Sequence, residues 1–594
     1  MLRKPLPSSP GGTSFPAMSK SENTTASTTA STTETHTAAT RLLNRPVGAL
    51  TELPEGFHGL AGARKVDALL ALEDPKAFIA ALDPAEALVL FTDIGLTDCT
   101  ELLALTTPEQ RAAFFDLDAW RGPELDTEKV DEWLDLLEAA DADTVPEAVA
   151  ALDSEFLTDY VLSLVKVVFE RTDEDAYNYW LQSHDLVESP DGQLYLVVER
   201  GDEESARRVR RLLGELYRHD VEMGFSLLIH AQTGLRLENE ELAHQFRVAR
   251  LADLGFPPPE DAHVLYSRLN VAEIRDSLPE RVPSIPPEAP PLGWALMRGD
   301  VRRDSFLARC LDAVEPGHDG DGRRDAVARE LGLCVNRAVV ASPEGLDLRD
   351  TDRLGELAVL VAGATSIGLE VLTEGSVSAG AALLGRVSVL ELHQLGHTQL
   401  VELAVRARRI AARGGGLLDP DTLDLLSALD ARPSPRWSAA AGEASQPFKR
   451  FAELAATTKR VAAAERQVDL FEHHLGFSRE RFEAHAFTGL SPDDKRFIRF
   501  DTLLRTLAAH VGLGRAPSFD PLKASDVLAL IGQLGAVMDR VAVFGGSLDG
   551  QARDALGAAA RQLVEELRPL SRTDVPDARF LGGVLLVKNS TDVG

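Results

Sequence analysis

The sequence predicts a mainly α-helical, multi-domain protein, a helical array with at most one small β-hairpin. Three observations predict this fold class. Capping side chains followed by proline mark several helix starts, and the apolar residues after them return at three- and four-residue spacing. Strand composition is confined to residues 193–199 (QLYLVVE), which follow the turn sequence SPDG, and to a candidate short strand at Val584–Val587. With 594 residues, 44% of them apolar, the chain is long enough for several domains.

The first 170 residues divide into a tail and a helical array. Residues 1–50 are rich in Ser, Thr and Pro and have no apolar period, so we predict a disordered tail. Residues 51–170, which we call the acidic module, are predicted to form stacked helical hairpins. This module contains three capped helix starts with proline at the first helical position: Asp74-Pro75, Asp83-Pro84 and Thr107-Pro108.

The rest of the chain is predicted to form three helical domains separated by two linkers. Residues 171–278 form an α domain that carries the small hairpin and an amphipathic helix over Glu203–His219, with leucines on one face and arginines on the other. The segments that follow are a proline-rich linker at 279–291, an α-helical domain at 292–413, a linker with a short helix at 414–447 and a C-terminal α-helical domain at 448–594.

The charge is strongly negative and unevenly distributed. The chain has 93 acidic and 62 basic side chains, a formal charge of −31, and the acidic module alone has 27 acidic against 7 basic side chains. Such a surplus repels phosphate backbones, so we expect no nucleic-acid partner. An acidic module next to arginine-rich stretches indicates either docking inside the molecule or a basic protein partner, and the sequence leaves both open.

Cysteine usage and hydropathy bear on the compartment. Cys99, Cys310 and Cys334 are odd in number and far apart, so they predict no disulfide framework and fit a reducing cytoplasm. The longest near-apolar run, residues 357–369, has 13 residues against the ~20 that a membrane-spanning helix needs. We therefore predict a cytoplasmic protein without membrane insertion.

No cofactor or metal is predicted. His393 and His397 lie one helical turn apart, as chelating histidines do, but the metalloprotease pattern needs a Glu where this chain has Gln394, and no third ligand is evident. We expect structural histidines here. The glycines of residues 361–369 (VAGATSIGL) lack the spacing of a dinucleotide-binding turn, and we predict a helix that packs closely on its neighbours.

Two groups of side chains are candidates for interaction. Aromatic residues and a histidine concentrate in the 171–278 domain, namely Tyr177, Tyr179, Trp180 and His184. Arg247, Arg250 and Asp253 follow at three-residue spacing on one predicted helix face. This second group predicts either a stripe that binds an anion or a partner, or a local ion-pair network that supports the helix pair.

One stretch carries a family resemblance. Residues 246–266 (FRVARLADLGFPPPEDAHVLY) resemble an uncharacterised bacterial family, domain-of-unknown-function family 6178, and the RLADLGFP segment is the most specific part. The resemblance implies a large, soluble, mainly helical protein and transfers no catalytic residues. Within the segment, Gly255 is predicted to end a helix in the left-handed conformation, with Pro257 as the stop.

The sequence favours a non-enzymatic cytoplasmic scaffold or adaptor that binds a protein partner, possibly basic, through the acidic module. The alternative is an enzyme or small-ligand-binding protein whose site is assembled from the aromatic and arginine-rich residues of the 171–278 domain. Neither substrate, partner identity nor oligomeric state is predicted.

Overall fold

A computed structural model describes residues 57–141, 144–234, 236–281, 305–315, 317–440, 442–570 and 583–587. In this part of the chain the fold is mainly α-helical, with a few short strands in small sheets, which confirms the predicted class. The predicted tail and most of the predicted proline-rich linker lie outside the described residues. The domain boundaries therefore stay predictions.

Helices of the acidic module begin where the proline patterns place them. The Asp74 and Asp83 side chains accept hydrogen bonds from the backbone N–H groups of their first turns, and Thr107 and Gln110 form a reciprocal capping box. The helices are α1 (Gly62–Leu70), α2 (Pro75–Ala80), α3 (Pro84–Ile94), α4 (Thr100–Leu103), α5 (Pro108–Asp118), α6 (Thr127–Ala140), α7 (Thr144–Ala151) and α8 (Ser154–Leu164). Strands β1 (Trp120–Arg121) and β2 (Glu124–Leu125) form a short ladder between α5 and α6.

A three-stranded antiparallel sheet follows the acidic module. Its strands are β3 (Val167–Glu170), β4 (His184–Glu188) and β5 (Leu194–Glu199), with β5 in the centre. The predicted hairpin is present as β4 and β5, with Leu186 opposite Val197. The expectation of at most one hairpin was wrong in its count, because β3 also pairs with β5 and two-residue ladders form at β1–β2 and elsewhere. A two-residue strand depends on its turn and is too short to show an alternating apolar pattern in the sequence.

Six helices occupy this part of the chain. They are α9 (Glu174–Leu181), α10 (Glu203–His219), α11 (Val221–Thr233), α12 (Arg236–Asp253), α13 (Pro259–Ala262) and α14 (Val271–Ser277). Helix α10 has the predicted bounds, and its buried residues include Val209, Leu212 and Leu216. Helix α12 ends at Asp253, and Gly255 has φ +84°, so the predicted left-handed stop is confirmed.

The remaining helices form the second half of the molecule. They are α15 (Phe306–Asp312), α16 (His318–Val340), α17 (Thr351–Leu372), α18 (Val377–Leu383), α19 (Val389–Gly414), α20 (Pro420–Leu429), α21 (Phe451–Asp469), α22 (Arg479–Ala484), α23 (Pro492–Lys495), α24 (Phe500–Gly512), α25 (Ala524–Ile531), α26 (Leu534–Gly545) and α27 (Gly550–Leu567). Strands β6 (Arg436–Trp437) and β7 (Gln446–Pro447) pair between α20 and α21. Leu586 forms a single bridge to Leu522.

Helices α17 and α19 join two hydrophobic cores. The described core residues fall into one cluster between Phe57 and Leu395 and a second between Ala364 and Leu586. Both clusters include residues of α17 and of α19, so the two helices are the shared wall. The predicted close packing of residues 361–369 is confirmed by this arrangement.

Glycines allow the backbones of α17 and α19 to touch. A Cβ atom on Gly368 would overlap the carbonyl oxygen of Leu392, and one on Gly396 would overlap the carbonyl oxygen of Ala364. The two glycines therefore face each other's helix at one crossing. Any larger side chain at either position requires the helices to move apart.

Among the described residues, one helix is long and apolar enough to cross a membrane. This helix is α17, and 72% of its most apolar window is buried in the protein. The pair α25 and α26 meets the same test only when its two helices, bent by 98°, are taken together. Packing between the two cores accounts for the apolar composition of α17.

Gly396→Ala is expected to lower the free energy of unfolding by about 3 kcal/mol, because the added methyl group meets backbone rather than a flexible side chain. Urea unfolding followed by circular dichroism measures the change. The matched control is Gly214→Ala in α10, where a Cβ atom meets nothing within 4 Å. This control is expected to gain about 1 kcal/mol from helix propensity. Equal midpoints for the two variants would contradict the close crossing.

Candidate functional site

The predicted interaction residues separate into two places. Tyr177, Tyr179 and Trp180 lie on α9, and His184 begins β4. The Trp180 ring contacts His184 with centroids 4.9 Å apart, and Tyr177 contacts Tyr195 on β5 with centroids 5.4 Å apart. Tyr179 is 67% exposed. This aromatic cluster covers the outer face of the sheet and lies apart from the arginine group.

Helix α12 carries the arginine group onto the acidic module. Arg250 donates to both carboxylate oxygens of Asp116, at 2.6 and 2.8 Å, and also pairs with Asp153. Asp253 is exposed and takes no part in these contacts. The pairs formed by Arg250 join α12 to α5 and to the start of α8, so they connect distant segments instead of forming the local network that was the alternative.

Arg247 is buried and held by backbone oxygens. Its guanidinium donates to the carbonyl oxygens of Asp116, at 2.8 Å, and Gly122, at 3.2 Å, and lies 5.0 Å from the centre of the Trp120 ring. The side chain is 7% exposed. Burial lowers the pKa of Arg247 to about 10, so the group is still a cation at neutral pH.

A cleft of about 920 Å³ opens beside Arg247. Three segments of the chain form it. The first is the end of α5 with β1, the turn after β1 and the start of α6; the second is the second half of α12 with the turn after it; and the third is the loop between α16 and α17. Its lining includes Asp118, Trp120, Arg121, Asp126, Lys129, His244, Arg247, Phe256, the three prolines 257–259, Leu346, Asp347 and Arg349. The size is that of a site for a small organic molecule.

Ion pairs occupy the other charged groups of the cleft. Arg349 donates to Asp118 at 2.8 Å and to Glu132 at 2.8 Å, and so fastens the α16–α17 loop to the acidic module. Lys129 also approaches Asp118, at 3.4 Å. Arg121 pairs with Asp126 at 2.6 Å. Arg247 therefore differs from the other lining cations, because it has carbonyl partners only.

Trp120 and His244 each have a buried ring nitrogen in the cleft lining. The indole nitrogen of Trp120 and Nδ1 of His244 have no hydrogen-bond partner. An indole N–H only donates, so the missing partner of Trp120 is an acceptor. Buried polar atoms without a partner are uncommon in folded proteins, so each one calls for an explanation.

The sequence model of a family of unknown function, DUF6178, matches residues 46–587, which include every element of the cleft. The chain belongs to this family. No curated protein and no solved structure is similar to it by the same kinds of comparison.

Part of this candidate site was predictable from the sequence. Arg247 was a candidate, and the prolines lie in the segment that carries the family resemblance. Trp120, His244 and the loop that holds Arg349 were missed. Arg349 lies 231 residues from its partner Asp118, and no local pattern connects two such segments.

His393 has structural contacts, whereas Nδ1 of its neighbour His397 is buried without a hydrogen-bond partner. His393 and His397 are buried on α19 with parallel rings, their centroids 5.8 Å apart. Nδ1 of His393 donates to the carbonyl oxygen of Leu265 at 3.1 Å, and Gln394 donates to that of Val264 at 2.7 Å. These bonds hold the 3₁₀ turn His263–Tyr266 against α19. Among the described residues no group of three metal-ligating side chains is arranged around an ion site.

The three cysteines are free and buried. Burial raises the pKa of Cys99, Cys310 and Cys334 to about 12 each. A thiol needs to ionise before it attacks or binds a metal, so none of the three is activated.

Acid is expected to destabilise the fold through the histidine pair. Burial lowers the pKa of His393 to about 3 and that of His397 to about 4. As the pH falls, the two histidines are protonated in the unfolded chain before they are protonated in the folded protein. The stability that depends on them is therefore fully present above pH ~6.5 and declines as the pH falls towards their pKa values in the folded protein. His397→Gln is expected to lose about 1.4 kcal/mol less than the wild type between pH 7.5 and 5.5.

Urea unfolding at the two pH values measures this difference. The control is His219→Gln, since His219 is exposed at the end of α10 and is expected to leave the pH dependence unchanged. The same loss of stability in the wild type and in His397→Gln would contradict the buried neutral pair.

Proposed function

We propose that the protein binds a small anionic molecule in the cleft beside Arg247. The observation that carries this proposal is the state of Arg247, a buried cation that forms no ion pair and lines a cavity. A buried charge without a counterion is costly, and a bound anion removes that cost.

The surroundings of Arg247 support a preformed site. Both carboxylate oxygens of Asp116 accept from Arg250, and this carboxylate forms no ion pair with Arg247, although its charge opposes the fall in the pKa of Arg247. The two carbonyl bonds fix the guanidinium plane without neutralising it. An anion therefore meets a charged group that is already oriented, which keeps the entropy cost of binding low.

Anilinonaphthalene sulfonate, a fluorescent monoanion with an apolar body, is expected to bind the folded wild type at one site. Val248→Trp is expected to abolish this site, because Val248 lines the cleft and the larger ring fills it. Arg247→Met is expected to weaken binding by about tenfold or more. Fluorescence titration measures the affinity and the stoichiometry.

The matched control is Arg236→Met, which removes an exposed arginine from the same helix and is expected to bind like the wild type. Circular dichroism verifies that each variant is folded, and Leu346→Trp on the opposite segment replaces Val248→Trp if the latter is not. Equal binding by the wild type and a folded cleft-filling variant would refute the proposed function.

A second candidate is the cytoplasmic adaptor predicted from the charge. A groove of about 550 Å³ in the acidic module favours it, because its lining includes Glu128, Asp131, Glu132 and Asp135. Most of this charge is already paired within the chain: Arg207 donates to Asp131 at 2.7 Å, and Arg349 and Arg211 contact Glu132 and Asp135. We place the adaptor second for this reason, and the cytoplasm stays the proposed compartment.

The adaptor hypothesis predicts a specific contact at the groove. Glu128 is exposed, and Glu128→Lys is expected to remove cross-links to a basic partner in the native cell, as mass spectrometry detects them. Glu238→Lys on the exposed side of α12 is the control and is expected to keep them. A chain that elutes from cell extract as a partner-free monomer at low and high salt would contradict the adaptor.

A further inference from the structure

We propose that the ligand of the cleft is a monocarboxylate with an apolar body, and not a phosphate ester. This inference rests on the proposed function and specifies its ligand class. It follows from the pairing of the charges in the lining, from the composition of the walls and from the donors that lack partners.

One cation of the cleft lining has no carboxylate partner. Four cations and four carboxylates line the cleft: Arg121, Lys129, Arg247 and Arg349, and Asp118, Asp126, Glu344 and Asp347. Arg121, Lys129 and Arg349 each pair with a lining carboxylate, whereas Glu344 and Asp347 pair with Arg353 outside the lining. Only Arg247 among these lining cations has no carboxylate partner.

A phosphate ester does not suit this arrangement. It carries a charge of about −1.5 to −2 at neutral pH, and phosphate sites gather several cations or backbone N–H groups around the oxygens. Here the second charge would face the fixed carboxylates of Asp118 and Asp347. A carboxylate carries one charge, and a single guanidinium compensates it.

The walls of the cleft call for an apolar body. Leu251, Phe256, the prolines 257–259 and Leu346 line it together with Val340. Proline has no backbone N–H, so this wall offers few donors to a polar ligand. Covering it with an apolar group removes nonpolar surface from water, and that burial stabilises the complex.

Two adjacent donors complete the site. The Arg247 guanidinium lies 5.0 Å from the centre of the Trp120 ring, and the indole N–H of Trp120 is buried without a partner. A carboxylate has two oxygens, so one accepts from the guanidinium while the other accepts from the indole. Nε and Nη1 of Arg247 stay bonded to the carbonyl oxygens of Asp116 and Gly122.

Three compounds with one aromatic body separate the head groups: naphthoate, naphthamide and naphthyl phosphate. Each is titrated against the wild type preloaded with anilinonaphthalene sulfonate, and displacement is followed by fluorescence. We expect naphthoate to displace the dye at a concentration about tenfold lower than either of the others. In Arg247→Met, the affinity for naphthoate is expected to fall to that for naphthamide. In Arg236→Met, the three compounds are expected to keep the order of affinities that they have in the wild type.

The outcomes distinguish a failure of the proposed ligand class from a failure of the anion site itself. If naphthyl phosphate binds as tightly as naphthoate or more tightly, the proposal of a monocarboxylate ligand is wrong and the anion site remains. Naphthamide that equals naphthoate, or a dye that none of the three displaces, also overturns it. A dye whose binding is unchanged in folded Val248→Trp overturns the proposed function itself. Calorimetric titration of naphthoate into Trp120→Phe, which keeps the ring and removes the N–H, is expected to show several-fold weaker binding.

Discussion

The contact between the backbones of α17 and α19 is the constraint on which the rest of the molecule depends. Two cores share these helices, and Gly368 and Gly396 let them approach more closely than any side chain would permit. The cleft loop leads directly into α17, and α19 holds the 3₁₀ turn that follows the cleft prolines. The spacing of the two helices therefore determines the spacing of two cleft walls.

Ion pairs between distant segments fix the third wall. Arg207 and Arg211 on α10, Arg250 on α12 and Arg349 before α17 all contact carboxylates of the acidic module. The surplus of the module is thus partly compensated inside the molecule, which was one of the two possibilities that the charge pattern left open. Partly buried pairs with bidentate geometry are less screened by salt than exposed ones, so they orient the walls as well as attract them.

Local features of the fold were predictable from sequence and long-range ones were not. The capping box of Thr107 and the bounds of α10 depend on neighbouring residues, so the pattern of side chains is sufficient to predict them. Strand β3 was missed because it follows an apolar helix directly and has no turn signal of its own. The three-residue spacing from Arg247 to Arg250 was enough to make Arg247 a candidate. That Arg247 has no counterion could not be predicted, because it depends on the pairing of Arg250 with a distant aspartate.

The reactivity of the three buried cysteines reports local opening of the fold. With a pKa near 12, about one thiol in 10⁵ is ionised at neutral pH, so alkylating reagents modify these sites chiefly after local opening. All three belong to the core between Phe57 and Leu395, and the other core has none. The rate of thiol labelling therefore measures opening of the core between Phe57 and Leu395. It does not report on the core on the other side of α17 and α19.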